Sequence, residues 1–182
     1  MSITKKIIII TASVIAVILI AITIVGYVFG GELFFMAPSR NKMDRFLKTN
    51  FAELSYVANA LFELDYDSIS IDKNPLREED KCNMRVSREY LVYETVPIPD
   101  ELVSHIQNLY ESGVKCISCG RDFAGFSVWA FMDEIRDVTY SRTGKKPDGN
   151  QLIEVKELSK ENWYYCVDNF GKAKARNPHL FQ

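Results

Sequence analysis

Two cysteines separated by two residues, Cys116 and Cys119, are the most chemically defined feature of this sequence, and Gly120 follows them directly. Two thiolates at this spacing on a tight turn can bind one tetrahedral zinc ion. A closed zinc site needs a second pair of ligands, whereas the other two cysteines, Cys82 and Cys166, stand alone. The sequence therefore favours small apolar residues in a hairpin over a metal site.

A thiol-redox site is the second chemistry open to this pair. In redox proteins a C-x-x-C motif begins a helix, whose N-terminus lowers the pKa of the first thiol. Here the motif lies where we predict a strand that runs into a turn. Four cysteines also permit disulfides outside the cell, although the sequence cannot choose the pairs. A thiol-redox or zinc-binding domain that uses Cys116 and Cys119 stays open as the alternative function.

No other residues form a catalytic set. His105 flanks the apolar positions of a predicted helix, and His179 lies near the C-terminus. The segment 125–129 lacks the final glycine of a nucleophile elbow, and no glycine-rich phosphate loop is present. We predict no catalytic, cofactor-binding or metal-binding residues, and we favour a protein that is not an enzyme.

The acidic residues Asp133, Glu134 and Asp137 cluster at the predicted end of a strand. A run of charges at such a place is typical of a solvated turn. We therefore predict that these carboxylates are exposed and have no specific function.

The most prominent feature near the N-terminus is a long apolar run. No charged residue occurs from Ile7 to Phe29. As a helix, these roughly 23 residues would cross a hydrocarbon core about 30 Å thick. Only a helix satisfies its own backbone hydrogen bonds in lipid. We predict a single-pass transmembrane helix over this run, with the lipid bilayer as its partner.

The run exceeds the apolar segment of about 7–15 residues in a cleaved signal peptide, so we expect an uncleaved signal-anchor. Its flanks disagree about orientation. The basic residues around it are Lys5 and Lys6 before the run, and Arg40, Lys42, Arg45 and Lys48 after it. Counting them favours a cytoplasmic domain, but only the first two directly adjoin the run. We predict an extracytoplasmic domain, with a cytoplasm-facing, membrane-tethered regulator as the alternative.

Gly26 and Gly30 form a G-x-x-x-G pair within and just after this run. Small residues at this spacing let two helices approach closely in lipid. The pair indicates a possible homodimer, although glycine is also common in membrane spans.

The remaining chain suits one small domain. We divide the sequence into a basic tail (1–6), a span (7–29), a linker (30–38), a globular domain (39–171) and a flexible tail (172–182). The formal net charge of −2 gives no reason to expect a nucleic-acid partner.

Apolar periodicity predicts two helices, over 41–64 and from Pro99 to Gly113. Strand-like segments are 66–72, 86–96, 114–118, 126–132, 137–141 and 163–167, whereas 152–158 is undecided. The fold class is therefore α+β, with a largely antiparallel sheet.

Aromatic residues on these strands, such as Phe126, Trp129, Trp163 and Tyr165, form either a binding platform or a core, and we favour the core. Together these features predict a membrane-anchored protein with a small, non-enzymatic binding or interaction domain. The sequence does not identify its ligand.

Overall fold

The computed structural model of the chain describes residues 15, 17, 18 and 20, and then 37–73, 83–89 and 92–176. The chain divides into two compact units, Met1–Ala37 and Pro38–Gln182. In the first unit, residues 15, 17, 18 and 20 are helical, and their side chains are exposed. Within the described residues, no helix has the length and apolarity that a membrane crossing requires.

Several sequence predictions concern residues outside the described ranges. These are the basic tail 1–6, most of the span 7–29, the pair Gly26 and Gly30, Cys82, and the final segment 177–182 with His179. The membrane helix and the homodimer therefore stay predictions.

The described part of the second unit contains three helices and eight strands. The helices are α1 (Arg40–Glu63), α2 (Asp100–Glu111) and α3 (Phe170–Arg176). The strands are β1 (Ser68–Asp72), β2 (Asn83–Glu89), β3 (Val92–Pro97), β4 (Cys116–Gly120), β5 (Phe123–Phe131), β6 (Glu134–Ser141), β7 (Leu152–Glu157) and β8 (Trp163–Asn169).

All eight strands form one sheet in the order β3-β2-β1-β4-β5-β6-β8-β7. Every neighbouring pair is antiparallel. The predicted α+β class with a largely antiparallel sheet is confirmed. Consecutive strands pair along most of the sheet, while α2 connects β3 to β4 and returns the chain to the middle.

The helix α1 carries the predicted apolar stripe. Leu47, Leu54, Ala58 and Leu61 are buried in the core. They repeat every three, four or seven residues, which is the spacing that places side chains on one face of a helix. Ser39 occupies the N-cap position, but its side chain makes no capping hydrogen bond.

The helix α2 packs beside α1 through its own predicted stripe, Leu102, Ile106 and Leu109, which is buried. Gly113 follows with a φ of +113°, in the left-handed region that glycine tolerates best. Both helices cover the same side of the sheet, because their buried residues share one cluster with those of β1, β4, β5, β6 and β8.

The predicted strand over 86–96 was wrong, because two strands occupy this part of the chain. β2 ends at Glu89, and β3 begins at Val92 and pairs back against it. β3 lies at the edge of the sheet and is largely exposed, so its side chains lack the alternation that marks a half-buried strand. The undecided segment 152–158 contains β7, which forms the opposite edge.

Candidate functional site

The two faces of the sheet carry different side chains. Buried residues such as Ile71, Ile117 and Phe126 point toward α1 and α2, on what we call the helix face. Side chains alternate along a strand, so the intervening residues point to the opposite, distal face. On four neighbouring strands, many of the distal residues are small or polar: Cys116, Ser118, Gly125, Ser127, Asp137, Thr139, Cys166 and Asp168.

The loop after β6, residues 142–151, forms one wall of a groove on this distal face. Pro147 in the loop is buried, and the Tyr164 hydroxyl donates a hydrogen bond to the Gly144 carbonyl at 3.2 Å. The groove has a volume of about 630 Å³, which lies in the range of small-molecule sites. We call it the Asp137 groove, after the carboxylate on its floor.

Three oxygen atoms lie close to Gly125 on this floor. A Cβ at this position would lie 2.9 Å from Ser118 Oγ, 3.9 Å from Thr139 Oγ1 and 4.0 Å from Asp137 Oδ2. Oxygen atoms from β4 and β6 therefore approach one glycine of β5. A side chain at this position would require Ser118 Oγ to move.

Among the described residues, Asp137 has a carboxyl whose pKa is raised from 3.8 to about 6. Burial is the largest cause of this rise; a hydrogen bond from Ser127 opposes it, and the charge of Asp168 adds to it. Its Oδ1 atom is fully buried, and no described residue donates a hydrogen bond to it. Burial without such a donor costs free energy, so the groove holds a carboxylate that a hydrogen-bond donor would stabilise.

Asp168 extends this acidic floor. It lies on β8 one pleat beyond Cys166, which pairs with Asp137. Diagonal neighbours of this kind have Cα atoms about 7–8 Å apart. Burial also raises the pKa of Asp168. The two carboxylates are near enough for each to make ionisation of the other less favourable.

We expect Asp137→Asn to stabilise the protein above pH 6 and to reduce the pH dependence of its stability. The pKa of Asp137 is about 6 in the folded chain against 3.8 for an ordinary carboxyl. Between these values the folded chain binds more protons than the unfolded chain, so stability falls as pH rises. The shift corresponds to roughly 2–3 kcal/mol, lost in full above the folded pKa.

Urea unfolding of the full chain in non-ionic detergent, followed by the fluorescence of buried Trp163, measures this effect. The free energy of unfolding of the variant is compared with that of wild type at each pH. The difference isolates Asp137, because Asp168 contributes to the pH dependence in the same sense in both proteins. If the free energy of unfolding changes with pH equally in the two proteins between about pH 4 and 7, the expectation is contradicted.

The cysteines of the C-x-x-C motif do not meet. Cys116 lies on the distal face of β4, whereas Cys119 lies on the helix face beside the core. Cys116, Cys119 and Cys166 are free thiols. Burial raises the pKa of each to about 12, so each is protonated near neutral pH. Both Cys116 and Cys166 face the distal side, but three strand spacings, or about 14 Å, separate them.

His105 belongs to a contact between the two main helices. Its Nδ1 lies 2.5 Å from Glu53 Oε2, and its ring contacts Tyr56 in a tilted arrangement with centroids 4.2 Å apart. Asn108 donates a weaker hydrogen bond to Glu53 Oε1 at 3.3 Å. The four side chains join α1 to α2, and no candidate nucleophile is among them.

Most aromatic residues of the sheet lie in the core, as the sequence favoured. Phe126, Trp163 and Tyr165 are buried on the helix face, and the Phe126 and Trp163 rings stack 6.0 Å apart. Trp129 is half-buried, with the Arg136 guanidinium 5.6 Å from its ring centroid. These rings form no continuous exposed platform.

Asp137 is the site residue that sequence reasoning missed. It lies within β6, not in a solvated turn, so the predicted exposure was wrong for this residue. Asp133 is in the turn and exposed, and Glu134 begins β6 and forms an ion pair with Arg136 at 2.6 Å. A signal was available, because Asp137 and Thr139 alternate with the apolar Val138 and Tyr140.

Comparisons with protein-family models, curated proteins and solved structures find no match to this chain. Its function must therefore be argued from its own residues.

Proposed function

We propose that this protein is a single-pass membrane-anchored binding module, and that the Asp137 groove is its ligand site. The buried Oδ1 atom of Asp137, to which no described residue donates a hydrogen bond, carries the proposal. Buried polar atoms in folded proteins nearly always have partners. The carboxylate that carries this atom lines a groove, which is a reason to expect a ligand beside it.

The floor supports the same proposal. A strand in the middle of a sheet is weakened by glycine, which brings no side chain to pack. Gly125 nevertheless lies in β5, between two strands whose side-chain oxygen atoms lie close to it. In the proposal, this glycine keeps room for a ligand atom beside the carboxylate.

Binding is favoured over catalysis by the chemistry of the groove. Its thiol, Cys166, has a pKa raised to about 12 by burial, which leaves almost no thiolate at neutral pH. The hydroxyls of Ser118 and Thr139 have no histidine among the described residues that line the groove. A serine or threonine nucleophile requires an adjacent base.

The anchor is the second half of the proposal and rests on the apolar run from Ile7 to Phe29. A helix over this run would hold the groove close to a membrane surface, and we propose that the domain lies outside the cytoplasm. A ligand in this position would be recognised at the membrane and not in bulk solution.

Gly125→Ala tests the groove, because its methyl group would occupy the space between the three oxygens. Ser118 can rotate away from this methyl, so we expect the variant to fold with nearly unchanged stability. A library of small cationic, neutral and anionic fragments is screened against the full chain in detergent by saturation-transfer NMR. We expect at least one fragment to bind wild type and to bind the variant at least about tenfold more weakly.

The matched control is Ala130→Val, which adds methyl groups to the same strand. Ala130 is exposed on β5 and is not among the residues that line the groove. This variant should keep the binding. If no fragment binds in a way that depends on Gly125, the proposed site is wrong.

A further inference from the structure

We infer that the Asp137 groove binds a primary ammonium group, of the kind that an amine, an amino sugar or a peptide N-terminus carries. This inference rests on the proposed function and gives it a ligand class. It is drawn from the charge of the groove, from the arrangement of acceptors on its floor, and from the burial of Asp137.

The charge of the groove favours a cation. Its lining contains four aspartates, Asp122, Asp137, Asp148 and Asp168, and one basic residue, Arg121. Arg121 is already bound to Asp67, with Nη2 and Nε at 2.8 and 3.0 Å from one carboxylate oxygen. The charge of Lys146 also acts on Cys166 in the groove. The aspartates still outnumber the basic groups, so the net field attracts positive charge.

The floor favours a group with several N–H donors. Ser118 Oγ, Thr139 Oγ1 and Asp137 Oδ2 lie together beside Gly125, each within 4.0 Å of the position that a Cβ would take there. An ammonium group has three donors that point apart, whereas a guanidinium has its donors in one plane and prefers the side-by-side geometry of a single carboxylate. Three acceptors close together suit the ammonium.

A metal ion suits this floor less well. Among the described residues, no three histidine, cysteine, aspartate or glutamate side chains converge as metal ligands. A water molecule would satisfy the oxygen atoms of the floor but would leave the charge of the carboxylates uncompensated. A bound ammonium would both donate hydrogen bonds to the oxygen atoms and compensate the charge of the carboxylates.

The neighbouring groups set the size of the ligand. Phe123, Pro147 and Leu152 contribute apolar surface to the same groove, and Asn150 and Gln151 contribute amides. The ammonium would sit on the floor, and a body of several more atoms would extend along the loop. The groove volume of about 630 Å³ accommodates such a molecule.

Four small probes with a methyl signal test the class: methylammonium, tetramethylammonium, acetamide and acetate. Tetramethylammonium has the same charge as methylammonium but no N–H group, so the pair separates charge from hydrogen bonding. Each is titrated at fixed ionic strength into the full chain in non-ionic detergent, near pH 7.5, and binding is measured from the proton NMR signal of the probe. We expect methylammonium to bind at least about fivefold more tightly than the other three.

Two variants test whether methylammonium binds in the Asp137 groove. Asp137→Asn keeps the shape of the side chain but removes its charge, and Gly125→Ala fills the floor, so each should weaken methylammonium binding at least about tenfold. Ala130→Val, outside the groove, should leave it unchanged. Circular dichroism confirms that each variant is folded before titration.

The outcomes separate this inference from the proposed function. If tetramethylammonium binds as well as methylammonium, or if Asp137→Asn binds methylammonium like wild type, the ammonium class is wrong. If acetamide or acetate binds more tightly and depends on Gly125, the groove is a ligand site for another class. If no probe binds, the ammonium inference is overturned, and the fragment screen alone decides whether the groove binds anything.

Discussion

Leu54→Asp is expected to unfold the domain in buffer. Leu54 is completely buried on α1, within the cluster that joins both main helices to the sheet. The substitution removes apolar contacts, which costs about 2–5 kcal/mol by analogy with truncation to alanine. It also places a carboxylate where no water reaches it, at a further cost of several kcal/mol. The sum is comparable with the whole stability of a typical domain, about 5–15 kcal/mol.

The matched control is Ala52→Asp, which adds the same charge to the same helix two residues earlier. Ala52 is exposed, so this change should cost less than about 1 kcal/mol, mainly through the weaker helix propensity of aspartate. Urea unfolding monitored by Trp163 fluorescence compares the two variants. Equal stabilities would mean that α1 does not form the core of this domain.

Glu53 would be a poor control, although the sequence places it on the polar face of the same helix. Its carboxylate accepts hydrogen bonds from Asn108 and lies 2.5 Å from His105 on α2. Replacing it by alanine would disturb the contact between the helices. The difference between positions 52 and 53 became visible only when α2 was placed beside α1.

The sequence predicted those helices and strands that bury one face and expose the other. The stripe of α1 and the alternation of β1, with Ile69 and Ile71 on one face, follow from the geometry of a helix and a strand that pack on one core. The edge strand β3 was missed because most of its residues are exposed on both faces, and alternation disappears when neither face is buried.

The candidate site was harder to predict because a distant segment creates it. Asp137 lines the same groove as Pro147 and residues 148–151, which follow it by ten residues or more. Nothing in the local pattern around Asp137 indicates that these residues lie across the groove from it. In the sequence, Gly125 is likewise indistinguishable from any other glycine in a strand. Only the pairing of β5 with β4 and β6 brings their side-chain oxygens close to it. Pairing across strands, and not composition, makes the site.

The second compact unit begins at Pro38, so a shortened chain without the predicted anchor should include this residue. Arg136 Nη1 and the Tyr165 hydroxyl donate hydrogen bonds to the Pro38 carbonyl at 2.9 and 3.4 Å. The sequence alone placed the start of the domain at Ser39, which would remove this carbonyl. Hydrogen bonds that involve a charged donor contribute about 1.5–3 kcal/mol, so the cut is expected to matter.

A chain that begins at Ala37 is expected to be soluble and to unfold in one cooperative transition, because the described core lies entirely beyond this point. The full chain should instead sediment with membranes after an alkaline carbonate wash, because an apolar run of this length inserts essentially irreversibly as a helix. A chain that begins at Ser39 should also be soluble but less stable than the Ala37 chain by about 1–3 kcal/mol.

Sedimentation and urea unfolding of the three chains test the anchor and the domain separately. A full chain that the carbonate wash releases would show that residues 7–29 do not cross the membrane. An Ala37 chain that stays with the membrane would show that the domain itself holds lipid, and one that aggregates would show that it needs the anchor to fold. A reporter that is active only outside the cytoplasm, fused after Gln182, then decides the orientation. Its inactivity, together with the activity of a cytoplasmic reporter at the same position, would show that the basic residues after the span determine the topology, and that the extracytoplasmic assignment is wrong.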